Sequence, residues 1–375
     1  MKAAAAIRWA LAVLAPVALM TGFAQAQTGA DLGKPGGPVK LVVGYQPYYT
    51  QAWSGVVMRG KKFYEKYLPK GSEVEFQIGL QGAIIVNNML AGKQNIGYMG
   101  DMPSIVATTK NDVADIRLVA NLGIAYDQCN VFLVRNDAPQ FKDANEAIKW
   151  LDGKIVAVPK GSCTDRFGQA TFKRANVQPK EYLNQNIEVI TSNFRAGKID
   201  AAIMWEPTTS RLIQEGLARR VASGATNQEN DGGFLAMRQD LIAARPDVVK
   251  AWLNAELDAQ LFIADPKNAA EIVRMAKEQT TGFSERVLWF SLYGSYPQNF
   301  GGAPVRNYMY YTFTPETREL IKRAAAFLYS IKSINVEQVR PEAIQASWTE
   351  DILKERGLKS PIGEIKAQPD SQAPK

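Results

Sequence analysis

The chain is 375 residues long, carries 44 Lys and Arg against 37 Asp and Glu for a formal net charge of +7, and contains two cysteines and no histidine. Without histidine there is no Ser-His or Cys-His nucleophile pair, no His-ligated zinc and no HExxH site, and two cysteines cannot complete a four-cysteine zinc centre, so neither a metal nor a cofactor is expected. The charge is mild and spread out with no basic run, which points away from nucleic acid; P-loop and GxGxxG fingerprints are also absent.

Residues 1–26 read as a cleaved secretion signal. Lys2 and Arg8 give a basic start, an apolar run covers 9–20, and Ala24-Gln25-Ala26 fits an A-x-A cleavage site, so the mature chain is expected to begin at Gln27. No cysteine stands there to take a lipid anchor, and no later segment reaches the ~18 apolar residues of a membrane span. A free exported protein, not embedded in the membrane, is expected. Removing 26 residues from 375 leaves 349, enough for two domains.

A Gly- and Pro-rich leader covers 27–37. The first predicted strand is 39–45, followed by the loop Gln46-Pro47-Tyr48-Tyr49-Thr50 and a helix to about Tyr67. Residues 73–79 alternate as a strand, and Leu80-Gln81-Gly82 turns into a helix over 82–90. A strand at 96–99, a helix at 103–110 and a strand at 116–124 complete a βαβαβα unit with short connections, which implies a parallel sheet. The second unit begins near Tyr126. Its predicted elements are a strand at 130–135, a helix at 145–151, a strand at 155–159, and a helix from Lys160-Gly161-Ser162-Cys163 to about Ala175. A strand at 188–190, a helix at 192–196, a strand at 199–205 and a helix at 207–215 follow. Residues 232–238 read as the crossing back. Helices are predicted at 246–264, 266–278, 284–292 and 315–329, several opened by a proline. The Tyr-rich block 290–313 has no assigned role, and the polar tail 359–375 is expected to be disordered.

Two stretches about a hundred residues apart repeat one pattern. Ala91-Gly92-Lys93 leads through Ile96–Gly100 to Asp101-Met102-Pro103, and Ala196-Gly197-Lys198 leads through Ile199–Trp205 to Glu206-Pro207. Each reads as a helix end, a glycine stop, a short strand, a carboxylate and a proline opening the next helix. Two such units suggest two lobes facing one cleft, with ligand at the strand ends.

These motifs carry a resemblance. Gly44-Tyr45-Gln46-Pro47 after the first strand, Gly100-Asp101-Met102-Pro103 after the third, Lys160-Gly161-Ser162 in the second unit, Met204-Trp205-Glu206-Pro207, and the crossing Phe234-Leu235-Ala236 stand in an order similar to that of periplasmic solute-binding proteins of ABC importers. Within these the chain resembles the nitrate/sulfonate/taurine family over roughly 38–350; the block from Phe290 to Phe313 does not align. The resemblance implies an α/β, two-lobed periplasmic-binding-protein fold (type II-like). It implies two parallel-rich sheets with flanking helices, two hinge crossings and a helical C-terminal third. Lobe I would be 38–126 plus 233–350, and lobe II 127–232. The lobes would close on a small solute and deliver it to an ABC permease with its ATPase.

The candidate ligand-binding residues sit at the strand ends. Tyr45, Gln46 and Tyr48 belong to the first loop, where Tyr49 and Trp53 also crowd. Gln81 and Gly82 open one helix and Ser162 and Thr164 another, where free N–H groups and the helix dipole favour an anion; a capping role alone is the other reading for Ser162 and Thr164. Asp101 and Glu206 would suit an ammonium or amide donor and disfavour nitrate, or else serve only their own helices. Trp205 either stacks on a flat group or is core. Arg166 reads as a solvated helix residue or a partner for a ligand acid, and Asp127 and Arg135 as candidates for a hinge salt bridge. Cys129 and Cys163 either form a disulfide or are two separate core residues. The expected function is capture of a small polar organic solute such as a sulfonate, taurine or another organic acid or zwitterion. Two alternatives stand beside it: an exported enzyme using the Asp101/Glu206 pair, and a sensing module for a membrane receptor.

Overall fold

A computed structural model describes residues 32–375; the expected signal peptide, 1–26, lies outside the described residues. Among the described residues, twelve strands form two sheets. The larger sheet contains β1 (Lys40–Tyr45), β2 (Glu73–Ile78), β3 (Ile96–Gly100), β4 (Ile116–Ala125), β10 (Asp231–Arg238), β11 (Val305–Met309) and β12 (Gly363–Lys366), in the order β12-β11-β4-β10-β3-β1-β2. The smaller contains β5 (Val131–Arg135), β6 (Ile155–Val158), β7 (Glu181–Asn184), β8 (Ala201–Met204) and β9 (Ala218–Ser223), in the order β7-β6-β8-β5-β9.

Both sheets are mixed. The parallel pairs are β2-β1-β3 in one and β7-β6-β8 in the other. Antiparallel pairs enter where the chain crosses between sheets: β10 lies between β3 and β4, and β5 between β8 and β9. A strand arriving from the other half of the molecule is not bound by the βαβ rule that keeps consecutive strands parallel.

The sequence repeat is visible as structure. Gly92 and Gly197 both take positive φ, at 72° and 66°, just past the helices Gly82–Leu90 and Ile187–Arg195. The following lysine amides then bond back to Asn88 O and Asn193 O at 2.8 and 2.9 Å. Each cap releases the chain into the strand, β3 or β8, that ends beside the cleft.

Two predicted elements are corrected and one unpredicted strand is added. Residues 188–190 lie inside the helix Ile187–Arg195, where Asn186 accepts from Val189 N at 2.9 Å and Ile187, Ile190, Thr191 and Phe194 form the buried face. Three residues are too few to separate a strand from one helical turn. The strand of that unit is β7, an edge strand whose partly exposed, polar composition hides it. The tail 359–375 is ordered: β12 pairs with β11, Ile365 is buried, and Gln368 N bonds Tyr293 O at 2.6 Å.

The first half's core holds one unusual group. The helix Pro246–Ala264 packs Val249, Trp252, Leu253 and Leu257 beneath the large sheet, and its buried face also carries Glu256 and Gln260. Glu256 accepts from Tyr98 OH and from Gln260 Nε2, both at 2.9 Å. Burial raises its carboxyl to about 7, against the usual 4.5. A folded pKa above the unfolded one stabilises the protein fully below about 4.5, and that contribution is lost as pH rises through 7. Glu256→Gln is therefore expected to gain on the order of 2–3 kcal/mol over the parent at pH 8.5 and little at pH 4.5, read by urea unfolding at both values. An equal difference at both pH values would refute the assignment.

Candidate functional site

A cavity of about 320 Å³ opens between the two halves at the C-terminal ends of the strands. The large sheet contributes Gln46 after β1, Gly100 at the end of β3, Tyr49, and the helix start at Gln81, Gly82 and Ala83. The small sheet contributes Pro159, Lys160, Gly161, Ser162 and Cys163 after β6, and Trp205 after β8. Val86, Asn87, Pro103 and Val106 line the first side, and Ser333 reaches in from the C-terminal third. Its size suits a small organic solute.

Two helices aim their N-termini here, one from each half. Gly82–Leu90 starts after Gln81 and Cys163–Ala175 after Ser162, and neither N-cap side chain accepts from a backbone N–H of its helix. The Ser162 hydroxyl instead bonds Pro159 O and Thr164 Oγ1, both at 2.6 Å. The first-turn acid of the second helix does not line the cavity: Asp165 is buried and accepts from Gly161 N, Gln169 and Tyr182 OH. Uncapped N–H groups and the dipole together make an anion seat. Lys160 is exposed at the rim, its ammonium 5.4 Å from the Tyr182 ring centroid. Gln46 is buried, and its Oε1 has no hydrogen-bond partner among the described residues. Trp205 packs against the cores of both halves and presents a face to the cavity.

Of the predicted site residues, Gln46, Gln81, Gly82, Ser162 and Trp205 meet at this cavity, and five do not line it. Tyr45 is wholly buried, with Arg59 at its hydroxyl. Tyr48 faces outward to Thr281, its hydroxyl 3.3 Å from Thr281 Oγ1. Thr164 is buried behind Ser162. The two carboxylates are engaged elsewhere. Asp101 is fully buried, accepts from Met102 N at 2.7 Å and meets Arg166 at 3.2 Å. Glu206 accepts from Ser210 N at 3.0 Å and lies 3.7 Å from Arg306. Burial pushes both carboxyls up, and the neighbouring arginine opposes the rise in each. Arg166, read as solvated or as a partner for a ligand acid, is instead buried with Asp101. Tyr49 of the crowded first loop and Gly100 and Pro103 of the Gly-Asp-Met-Pro motif also line the cavity, whereas Val86, Asn87 and Val106 were marked by no motif.

Cys129 and Cys163 form a disulfide with Cα atoms 6.2 Å apart. It ties the first crossing to the helix start that lines the cavity. Asp127, on the same crossing, pairs with Arg220 and Arg306, while Arg135 pairs with Asp137 instead. The described residues contain no cluster of three or more His, Cys, Asp or Glu suited to a metal, and no helix long and apolar enough to cross a membrane.

Two mixed α/β sheets joined by two crossings, with a cavity at the facing strand ends, define a periplasmic-binding-protein fold. The chain matches the NMT1-like family over residues 34–277 and belongs to it. It is 26% identical over 255 residues to the taurine-binding periplasmic protein of Escherichia coli (strain K12), covering 64% of this chain and 73% of the relative. The alkanesulfonate-binding protein SsuA from Xanthomonas axonopodis pv. citri, solved with bound MOPS, superposes with a TM-score of 0.62 at 18% identity, over 82% of this chain and 98% of that one. The periplasmic nitrate-binding protein NrtA from Synechocystis PCC 6803 gives 0.67 at 15% identity, over 86% and 90%. The desulfurization enzyme DSZB shares the fold at 0.61 and 16% identity, over 84% and 99%, so the fold alone does not divide binding from catalysis.

Gly82 is demanded by packing. A Cβ there would overlap the Pro103 ring of the next helix. Gly82→Ala is expected to displace the helix start, costing roughly 1–3 kcal/mol in urea unfolding despite alanine's better helix propensity. Unchanged stability would show that the two helices have room to part.

Proposed function

We propose that this protein is the periplasmic solute-binding component of an ABC importer, capturing a small organic anion and presenting it to a membrane permease coupled to an ATPase. A sulfonate is the leading solute. The observation that carries this reading is the convergence of two uncapped helix starts, one from each half, on a cavity that no carboxylate lines. Contacts made by both halves at once favour a closed form only when the cavity is filled. The lobes are taken as 38–126 with 233–350 and the added strand β12, and 127–232, hinged at the two crossings. The N-terminal signal pattern and the periplasmic relative support the compartment.

The expectation of an ammonium partner loses its footing, because Asp101 and Glu206 are both held beside arginines away from the cavity. The same placement weighs against an enzyme that uses this pair as acid and base, since a general acid must reach the reacting atom. The apolar share of the wall, Ala83, Val86, Val106 and Trp205, suits a hydrocarbon body behind the anionic head.

A thermal-shift panel tests this reading. Methane-, ethane- and benzenesulfonate are expected to stabilise the mature protein, by about 2.7 kcal/mol at 100 times the dissociation constant, with no product formed. Ethylamine is expected to do nothing. Trp205→Ala is expected to weaken benzenesulfonate more than methanesulfonate, by on the order of 1 kcal/mol in calorimetry. Stabilisation by ethylamine but by no anion, or steady product release, would overturn the proposal.

A further inference from the structure

Behind the cavity, Asp101 and Arg166 meet from opposite halves. Asp101 is the first residue of the helix Asp101–Thr108, which follows β3 of the large sheet. Arg166 lies in the first turn of the helix Cys163–Ala175, which belongs to the small-sheet half. Their neighbours Gly100 and Cys163 line the cavity. Arg166 N bonds Ser162 O at 3.1 Å, so the guanidinium and the anion seat are carried by one helical turn. Arg166 donates to Asp101 Oδ2 at 3.2 Å and to Asn230 O, on the second crossing, at 2.8 Å. Both side chains are excluded from water. Each also has a partner nearer in its own half: Met102 N holds the other Asp101 oxygen, and Glu229 lies 3.8 Å from Arg166.

We propose that Asp101 and Arg166 are positioning residues that couple occupation of the cavity to closure of the two lobes. This rests on the reading of the cavity as an anion site. When the lobes part, both groups regain water; when they close, each replaces water with the other. Removing Arg166 leaves Asp101 buried with Met102 N as its remaining partner, and removing Asp101 leaves Arg166 with Asn230 O and the more distant Glu229, a loss felt only in the closed form. The penalty therefore falls on the closed complex, which shortens its lifetime and leaves encounter alone. An anion drawn to the first turn of Cys163–Ala175 brings Arg166 with it, so seat and tie move together.

The test uses the mature protein with ethanesulfonate and taurine as probes. Asp101→Asn, Arg166→Gln, their double variant and Arg166→Lys are compared by calorimetry and stopped-flow kinetics. Each neutral single variant is expected to raise the ethanesulfonate Kd roughly tenfold or more through koff, with kon nearly unchanged. The double variant is expected to be no worse than the worse single, since neither leaves the other stranded. Arg166→Lys, which keeps the charge, is expected to recover part of the loss. Should a single variant fail to fold, the double variant and Arg166→Lys carry the comparison. An unchanged Kd across the variants overturns the tie. So does a selective loss of taurine relative to ethanesulfonate in Asp101→Asn, which would place Asp101 at the ligand's ammonium. If ethanesulfonate does not bind the parent protein while Asp101→Asn still lowers its thermal stability, the anion-site reading falls, and this inference with it.

Discussion

The architecture turns on one buried carboxylate at the first crossing. Asp127 is wholly excluded from solvent and is shared by two arginines, Arg220 from β9 and Arg306 from β11. One arginine belongs to each sheet, so a single acid holds both halves to the connection between them. A buried charge is costly unless it is fully paired, and two guanidiniums on one carboxylate leave a net positive centre. Further groups absorb that charge. Arg306 also donates to Ser291 O at 2.9 Å and approaches Glu206, and both arginines lie over the Tyr296 ring at 4.4 and 5.2 Å. The ring face and carbonyls stabilise the cations without adding anions. The Tyr-rich block is thus the strap that completes this centre: Gly301 O accepts from Arg220 and from Ser223 Oγ.

The same logic explains the carboxylates of the repeat. A strand ending in an open α/β sheet is followed by a helix, and an acid at that helix start is favoured by the dipole whatever the ligand. Asp101 holds its own helix through Met102 N, and Glu206 holds the next through Ser210 N. Their second oxygens are then free to face an arginine across the molecule. A site built from sequence-equivalent positions in two units therefore has two uses, and here the carboxylates serve the assembly of the halves. The backbone beside them serves the cavity.

Legibility in the sequence followed the range of the interactions. The strands near the cleft, the proline-led helix Pro246–Ala264 and the glycine stops at Gly92 and Gly197 were readable, because periodicity and left-handed backbone are local properties. β7 and β12 were not, since an edge strand of mixed polarity gains its stability from a partner remote in the chain. At the site, Gln81, Gly82 and Ser162 were legible as helix starts. Asp101 and Arg166 are 65 positions apart, and nothing local announces that they meet. Tyr45 and Tyr49 differ by four positions and by which side of β1's end they reach, core or cavity. That distinction is set by how the loop turns, which composition does not record.

The division of labour among charged groups bears on how such a site releases what it holds. No arginine lines the cavity; Arg166, Arg220 and Arg306 are all committed to interlobe contacts. In the proposed reading an anion there would meet backbone N–H groups, the amides of Gln46 and Gln81, and a rim lysine exposed to solvent. Backbone dipoles are already oriented and cost little to arrange, whereas a buried guanidinium facing the ligand would have to be desolvated anew at each closure. If the proposed function holds, placing the strong charge pairs between the halves and the weaker oriented dipoles around the solute would let affinity be governed by closure. Opening would then abolish the seat by separating its two helix starts, with no strong ligand contact left on either half alone.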